Sequence, residues 1–88
     1  MNELTISLDA QSSVPLYEQI YKYIKNDIQD GGLPFGKRLP STSKLAKFLQ
    51  ISRTTVDMAY EQLVSEGYIE AVPYKGYYVC ELEGLYRI

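Results

Sequence analysis

Histidine is absent from the 88-residue chain, and cysteine occurs once, as Cys80. Without histidine there is no Ser-His-Asp or Cys-His nucleophile pair, and the commonest metal ligand is missing. A single cysteine closes no internal disulfide and builds no thiolate zinc site. The carboxylates are scattered, and no glycine-rich phosphate loop of either common spacing occurs. Catalysis therefore has no residues to rest on, and the chain is expected to be neither an enzyme nor the holder of a metal or cofactor. No apolar run approaches the ~20 residues that span a bilayer, and no charged-then-apolar signal segment opens the chain. The expected setting is a reducing cytoplasm, with no membrane as partner.

Acidic residues are missing from one long window. Between Asp30 and Asp57 there is none, while Lys37, Arg38, Lys44, Lys47 and Arg53 give that window a charge of +5. The rest of the chain holds four basic and eleven acidic residues, so the overall charge of −2 conceals a segregation. A local basic patch attracts phosphate within a screening length whatever the total charge. A composition 45% hydrophobic and 23% charged fits one small folded domain.

Hydrophobic periodicity places the elements. Leu4, Ile6 and Leu8 alternate with polar neighbours and predict a short strand over 3–8, followed by a polar connector. Pro15 suits the first turn of a helix, where its missing N–H costs nothing. Leu16, Ile20, Ile24 and Ile28 repeat every four residues and predict an amphipathic helix of about four turns. Asp30, Gly31 and Gly32 stop it, and "LPFGKRLP" reads as a loop. Ser41 is the N-cap of a second, short helix with Leu45, Ala46, Phe48 and Leu49 on its inner side. Ser52 caps a third helix over about 53–66. At about 100° per residue, Val56, Ala59, Tyr60 and Leu63 face the core. Thr54, Asp57, Met58, Glu61 and Ser65 lie opposite, with Arg53 at the margin near the tip. Gly67 ends that helix, and "YIEAV" and "GYYVCEL" alternate around a turn at 73–76 as a β-hairpin.

The expected fold is α+β and mainly α: a winged helix-turn-helix of three helices, a C-terminal β-hairpin wing and a short N-terminal strand. Its divisions are a strand and connector at 1–13, the winged helix-turn-helix at 14–82, and at 83–88 the start of a linker to an absent C-terminal domain. Ala46 is small where the two helices of the pair approach, Ile51 plugs the turn, and Val56 packs back on the first helix. The second helix of such a pair enters the major groove with its N-terminal residues on base edges. Its free N–H groups and positive dipole end suit phosphate.

The predicted DNA-facing set follows. Ser41 and Ser52 cap their helices and reach phosphate oxygens. Arg38, Lys44 and Lys47, with Lys37, form a backbone clamp. Arg53 contacts base or phosphate, the bland alternative being a surface charge. Thr54 or Thr55 touches phosphate or a thymine methyl, or both are ordinary first-turn residues. Asp57 reads as a solvated residue facing the groove; the alternatives are accepting from a cytosine amino group or repelling phosphate to sharpen register. Lys75, with Gly76, sits at the wing tip against backbone or minor groove. Tyr74 and Tyr77 read as a structural hairpin pair, with sugar or phosphate contact as the alternative.

With these residues in view, the stretch "LPSTSKLAKFLQISRTTVDMAYEQLVSEGYIEAVPYKGYYV" (Leu39 to Val79) resembles the winged-helix domain of the GntR family of bacterial transcription regulators. The family pattern runs Leu-Pro-Ser, Leu-Ala, Ser-Arg-Thr-Thr-Val, Leu, Glu-Gly and a Gly-aromatic-Val wing. "PLYEQIYKYI" is similar to the family's first helix, so the resemblance covers about Val14 to Glu81. "AYEQLVSEGY" and the strand-like N-terminus resemble the MocR subgroup most closely. The resemblance implies sequence-specific binding of double-stranded operator DNA. One module has few phosphate contacts, so a homodimer in the full-length protein is expected to bring two modules onto two half-sites. The resemblance also implies an aminotransferase-like domain holding pyridoxal phosphate, which has no room in this chain and is expected only in an absent C-terminal domain; the alternative is a short subgroup with a small helical tail. Departures fall at Ser43 and Asp57, where many members carry DNA-contacting arginines, and at Gln50, where glycine is usual. The contrasting expectation is a winged-helix protein-interaction module that uses its acidic remainder as the contact face.

Overall fold

The computed structural model describes residues 6–81, in which three helices precede a two-stranded antiparallel hairpin. The first helix, α1 (Leu16–Gln29), buries Ile20, Ile24 and Ile28, as their four-residue spacing requires. Pro15 stands one position before the expected one, at the N-cap, with φ −58° and ψ 150°. Its ψ is extended, so helical geometry begins only at Leu16. The Pro15 carbonyl nonetheless accepts from the Glu18 and Gln19 N–H groups. Gly31, at φ +89°, carries the chain out of the helix in the left-handed conformation.

The next two helices, α2 (Thr42–Leu49) and α3 (Arg53–Ser65), are each capped by the expected serine. The Lys44 N–H donates to Ser41 Oγ at 3.1 Å, and the Thr55 N–H donates to Ser52 Oγ at 3.3 Å. Between them Gln50 is left-handed, at φ 60° and ψ 46°. The Ile51 N–H folds back to the Ala46 carbonyl at 3.0 Å and satisfies a helix-end acceptor. Thr42, Leu45 and Ala46 are buried and Leu49 is half-buried, whereas Phe48 is 71% exposed. The expectation that Phe48 packs inward is therefore corrected. Residues at i, i+3, i+4 and i+7 share a face, and Phe48 falls outside that set while Thr42 completes it.

The hairpin pairs β1 (Ile69–Val72) with β2 (Gly76–Val79), with Ile69 opposite Val79 and Val72 opposite Gly76. Its other edge is occupied, which the sequence pattern did not suggest. Gly36 N–H donates to the Val79 carbonyl, Val79 N–H to the Lys37 carbonyl, and Leu39 N–H to the Tyr77 carbonyl, each at 2.9 Å. Residues 36–39, expected as loop, thus run along β2 with Arg38 opposite Tyr78. So short a run between glycine and proline shows no alternation to read.

No strand forms over residues 6–8; residues 3–5 of that expected strand, and the linker expected at 83–88, lie outside the described residues. Ile6 and Leu8 still pack, half-buried, against the core. Gln19 holds the segment: its amide donates to the Asp9 carbonyl at 3.0 Å and the Val14 carbonyl at 2.8 Å, while its Oε1 accepts from Asp9 N–H at 2.8 Å. These bonds fix the connector that follows residues 6–8, not the backbone of those residues themselves.

All of the predicted inner face of α3, Val56, Ala59, Tyr60 and Leu63, is inaccessible to solvent. Tyr60 makes two directional contacts there. Its hydroxyl donates to the Pro40 carbonyl at 2.8 Å, and its ring meets Tyr77 edge-on, with centroids 4.9 Å apart. Burial, with a smaller share from Tyr77, pushes the Tyr60 phenol well above its usual range, so it remains a donor. A second polar contact joins α1 to the end of α3, where the Tyr21 hydroxyl donates to Glu66. Burial first, and that bond second, push the Tyr21 phenol up; the same bond holds the Glu66 carboxyl below its ordinary range.

Two substitutions test this frame. Gln50→Gly relieves a left-handed side chain and should stabilise the domain by about 1 kcal/mol, read as a higher urea midpoint at unchanged slope. Tyr60→Phe keeps the ring packing but strips the Pro40 carbonyl of its donor, and should cost about 1 kcal/mol on the same measurement. An unchanged midpoint in either case would contradict the role given to that residue.

Candidate nucleic-acid interface

The helix pair offers its outer surface through the tip of α3. Ser52, Arg53 and Thr54 are exposed there, while Thr55 is half-buried. The Thr55 hydroxyl is already engaged, with Oγ1 2.9 Å from Ser52 Oγ. Of the two threonines, Thr54 is thus the more accessible. Asp57 is half-buried one turn on, and its Oδ2 lies 3.6 Å from Nε of Arg53. Asp57 is thus partly solvated and also forms an ion pair along the helix.

On α2, Ser43, Lys44 and Lys47 are exposed, as is the cap Ser41. Arg38 reaches both the start of α2 and the wing. With Leu39, Pro40, Ser41 and Lys44 it lines a cleft of about 430 Å³ beside the α2 N-terminus. With the hairpin from Ala71 to Tyr77 it lines a second cleft, of about 440 Å³. Its guanidinium lies over Gly76, where a Cβ would come within 3.2 Å of Arg38 Nε. Gly76 has φ +122°, a conformation that calls for glycine, and a side chain there would also displace the Arg38 guanidinium slightly. Arg38, Ser41 and Lys44 are therefore brought together, as are Arg38, Lys75 and Gly76. Ser43, Lys47 and the α3 tip residues line neither of these two clefts.

At the wing tip Lys75 is exposed, and its N–H closes the turn on the Val72 carbonyl at 3.0 Å. Beside it Tyr74 is left-handed, at φ 65°, and fully exposed. The expected structural pair of Tyr74 and Tyr77 is thus half correct: Tyr77 packs on Tyr60, and Tyr74 packs on nothing in the core. The available cue was position, since Tyr74 follows Pro73 at the centre of the turn and belongs to neither strand.

The charge segregation of the sequence survives folding. Lys37, Arg38, Lys44, Lys47 and Arg53 are all exposed. Among the described residues, Arg53 alone of these five is paired with an acid. Four positive charges thus stand unneutralised before and along α2, which is the condition for attracting a polyanion.

Known proteins share this arrangement. Residues 16–79 match the family of bacterial regulatory proteins named gntR. The uncharacterized HTH-type transcriptional regulator YhdI of Bacillus subtilis is 41% identical over 81 residues, 92% of this chain and 17% of its own length. The probable rhizopine catabolism regulatory protein MocR of Rhizobium meliloti is 37% identical over 75 residues, 85% of this chain and 15% of its own. The chain thus spans less than a fifth of these curated relatives. Among solved structures, YtrA from Sulfolobus acidocaldarius, a GntR-family transcription factor, superposes with a TM-score of 0.81 at 39% identity, covering 88% of this chain and 81% of that one. AraR(DBD) in complex with operator ORR3 superposes with a TM-score of 0.72 at 27% identity, covering 84% and 89%. This chain belongs to the GntR family of bacterial regulatory proteins and forms its winged helix-turn-helix domain.

Proposed function

We propose that the chain reads operator DNA for a bacterial transcription regulator. In this reading α3 enters the major groove of double-stranded DNA and the wing tip rests on backbone or minor groove. The observation that carries it is the placement of unpaired Arg38, Lys44 and Lys47 ahead of and along α2, with the exposed tip of α3 following. Phosphate contacts from the first group fix register, and the tip then meets base edges. Arg53 is the base reader, with a guanidinium suited to guanine. Thr54 reaches phosphate or a thymine methyl; Ser41 and Ser52 present capped helix ends to phosphate. Ser43 and Thr55 make minor contacts. Lys75 is the wing's contribution, and Gly76 keeps the wing close to Arg38.

The regulator is of the MocR type in our reading, supported by the likeness to MocR and by the greater length of the relatives. Pyridoxal phosphate then belongs to a further domain, and this chain assigns no residue to it. Transcription regulators, not enzymes, make up the relatives; we extend that to this chain and place it in the cytoplasm. No helix among the described residues is long and apolar enough to cross a membrane. A protein-docking role through the acidic remainder is the competing outcome of the tests below.

Binding to a duplex selected from a randomised library should weaken linearly in log-log salt plots. Lys44→Ala should lower the slope by about one and weaken all sequences alike. Arg53→Ala should instead remove discrimination by about ten- to a hundredfold at one base pair, as loss of a bidentate contact does. Salt-independent binding, with both variants silent, would contradict the reading and favour the protein-docking role. Two modules on two half-sites should gain affinity through homodimerisation. The gain from one half-site to two should be large in the longer protein and small in this chain; equal gains would contradict dimeric recognition.

A further inference from the structure

The tip of α3 carries an acid where phosphates would surround it, and that acid is joined to the base reader. Asp57 Oδ2 lies 3.6 Å from Arg53 Nε, with the arginine side chain 67% exposed and the aspartate side chain 35%. We infer that Asp57 is a positioning residue for base discrimination, holding the Arg53 guanidinium by its Nε edge so that the two terminal nitrogens are presented to the base. This inference rests on the DNA-reading role proposed above.

Three observations support it. The contact engages Nε, and among the described residues the terminal nitrogens have no hydrogen-bond partner. Those two nitrogens form the fork that matches the paired acceptors of guanine. Secondly, the pair is oriented against the helix dipole. On α1 the Glu18–Lys22 pair puts the acid first, the order that supports a helix. On α3 the base comes first and the acid four residues later, with no acidic residue in the first turn. An arginine at the positive end of a helix costs stability, so helix support accounts for less of this pair than of the pair on α1. Thirdly, the two groups differ in reach. The Asp57 side chain is short and about half as exposed as that of Arg53, which extends into solvent. A tether from the less exposed partner removes rotamer freedom that docking would otherwise have to remove. The carboxylate also offsets the arginine's general attraction for phosphate, which weakens binding to any sequence and leaves the correct base as the stronger reward.

The experiment is a double-mutant cycle read on two duplexes. The first is the best sequence the wild-type chain selects from a randomised library; the second differs from it at the one G·C pair to which Arg53→Ala is sensitive. Asp57→Asn should tighten binding to a random-sequence duplex, yet lower discrimination between the two probes on the order of fivefold. Asp57→Glu should retain most of the discrimination. In the Arg53→Ala background, Asp57→Asn should change discrimination at no position. Circular dichroism of each variant separates these effects from unfolding. Unchanged discrimination in folded Asp57→Asn would overturn the inference. So would a loss at a base pair that Arg53→Ala leaves intact, since Asp57 would then read a base itself. A wild-type chain that selects no sequence at all would bring down the DNA-reading role, and this inference with it.

Discussion

The bond from the Tyr60 hydroxyl to the Pro40 carbonyl fixes where α2 begins relative to α3. Pro40 immediately precedes the cap of α2, and Tyr60 lies mid-way along α3. The same ring meets Tyr77 of the wing. One buried side chain thus touches the second helix's entry, the third helix and the hairpin. A leucine there would fill the core and leave the entry to α2 unfixed. The tyrosine adds direction, because a hydrogen bond weakens steeply once its distance and angle are displaced. The basic residues that flank Pro40 inherit their position from it.

Electrostatics builds on that frame. The chain is acidic in sum, and the basic residues between Asp30 and Asp57 matter because folding leaves them on the outside and, apart from Arg53, without acidic partners among the described residues. Screening confines their influence to roughly 8–10 Å at ordinary salt. Within that range the −7 carried by the remainder of the chain counts for less than the local surplus. At α1 the opposite arrangement holds: Lys25 lies 5.5 and 5.8 Å from the ring centres of Tyr21 and Tyr68, and Glu66 accepts from Tyr21. Charges there are absorbed into packing, whereas those at α2 are left available.

Much of this fold was legible because its signals are local and repeated. Leu16 and three isoleucines at four-residue spacing named α1, serine side chains named both later helix starts, and angular placement identified every solvent-inaccessible residue of α3. Failures came where structure depends on a distant partner. Residues 36–39 become a sheet edge only because β2 lies beside them, and nothing within "GKRL" encodes that. Phe48 is hydrophobic by type and exposed by angle, so composition misplaced it. The strand expected near the N-terminus alternates correctly, but over residues 6–8 Ile6 and Leu8 pack on the core with no ladder, and Gln19 holds the backbone just beyond, at Asp9. At the candidate site the residue types were readable, whereas their pairings were not: Arg53 with Asp57, Thr55 with Ser52, and Arg38 with Gly76 appear only in three dimensions.

The sheet edge at 36–39 also bears on how this domain can change over time. Loops ordinarily absorb insertions and deletions, since their length costs little. Here a single added residue between Gly36 and Leu39 would shift the register against β2 and turn Arg38 to the opposite face. The stretch that looks freest in the sequence is therefore closed to length variation, and lineages of this domain have room to alter its side chains but not its count.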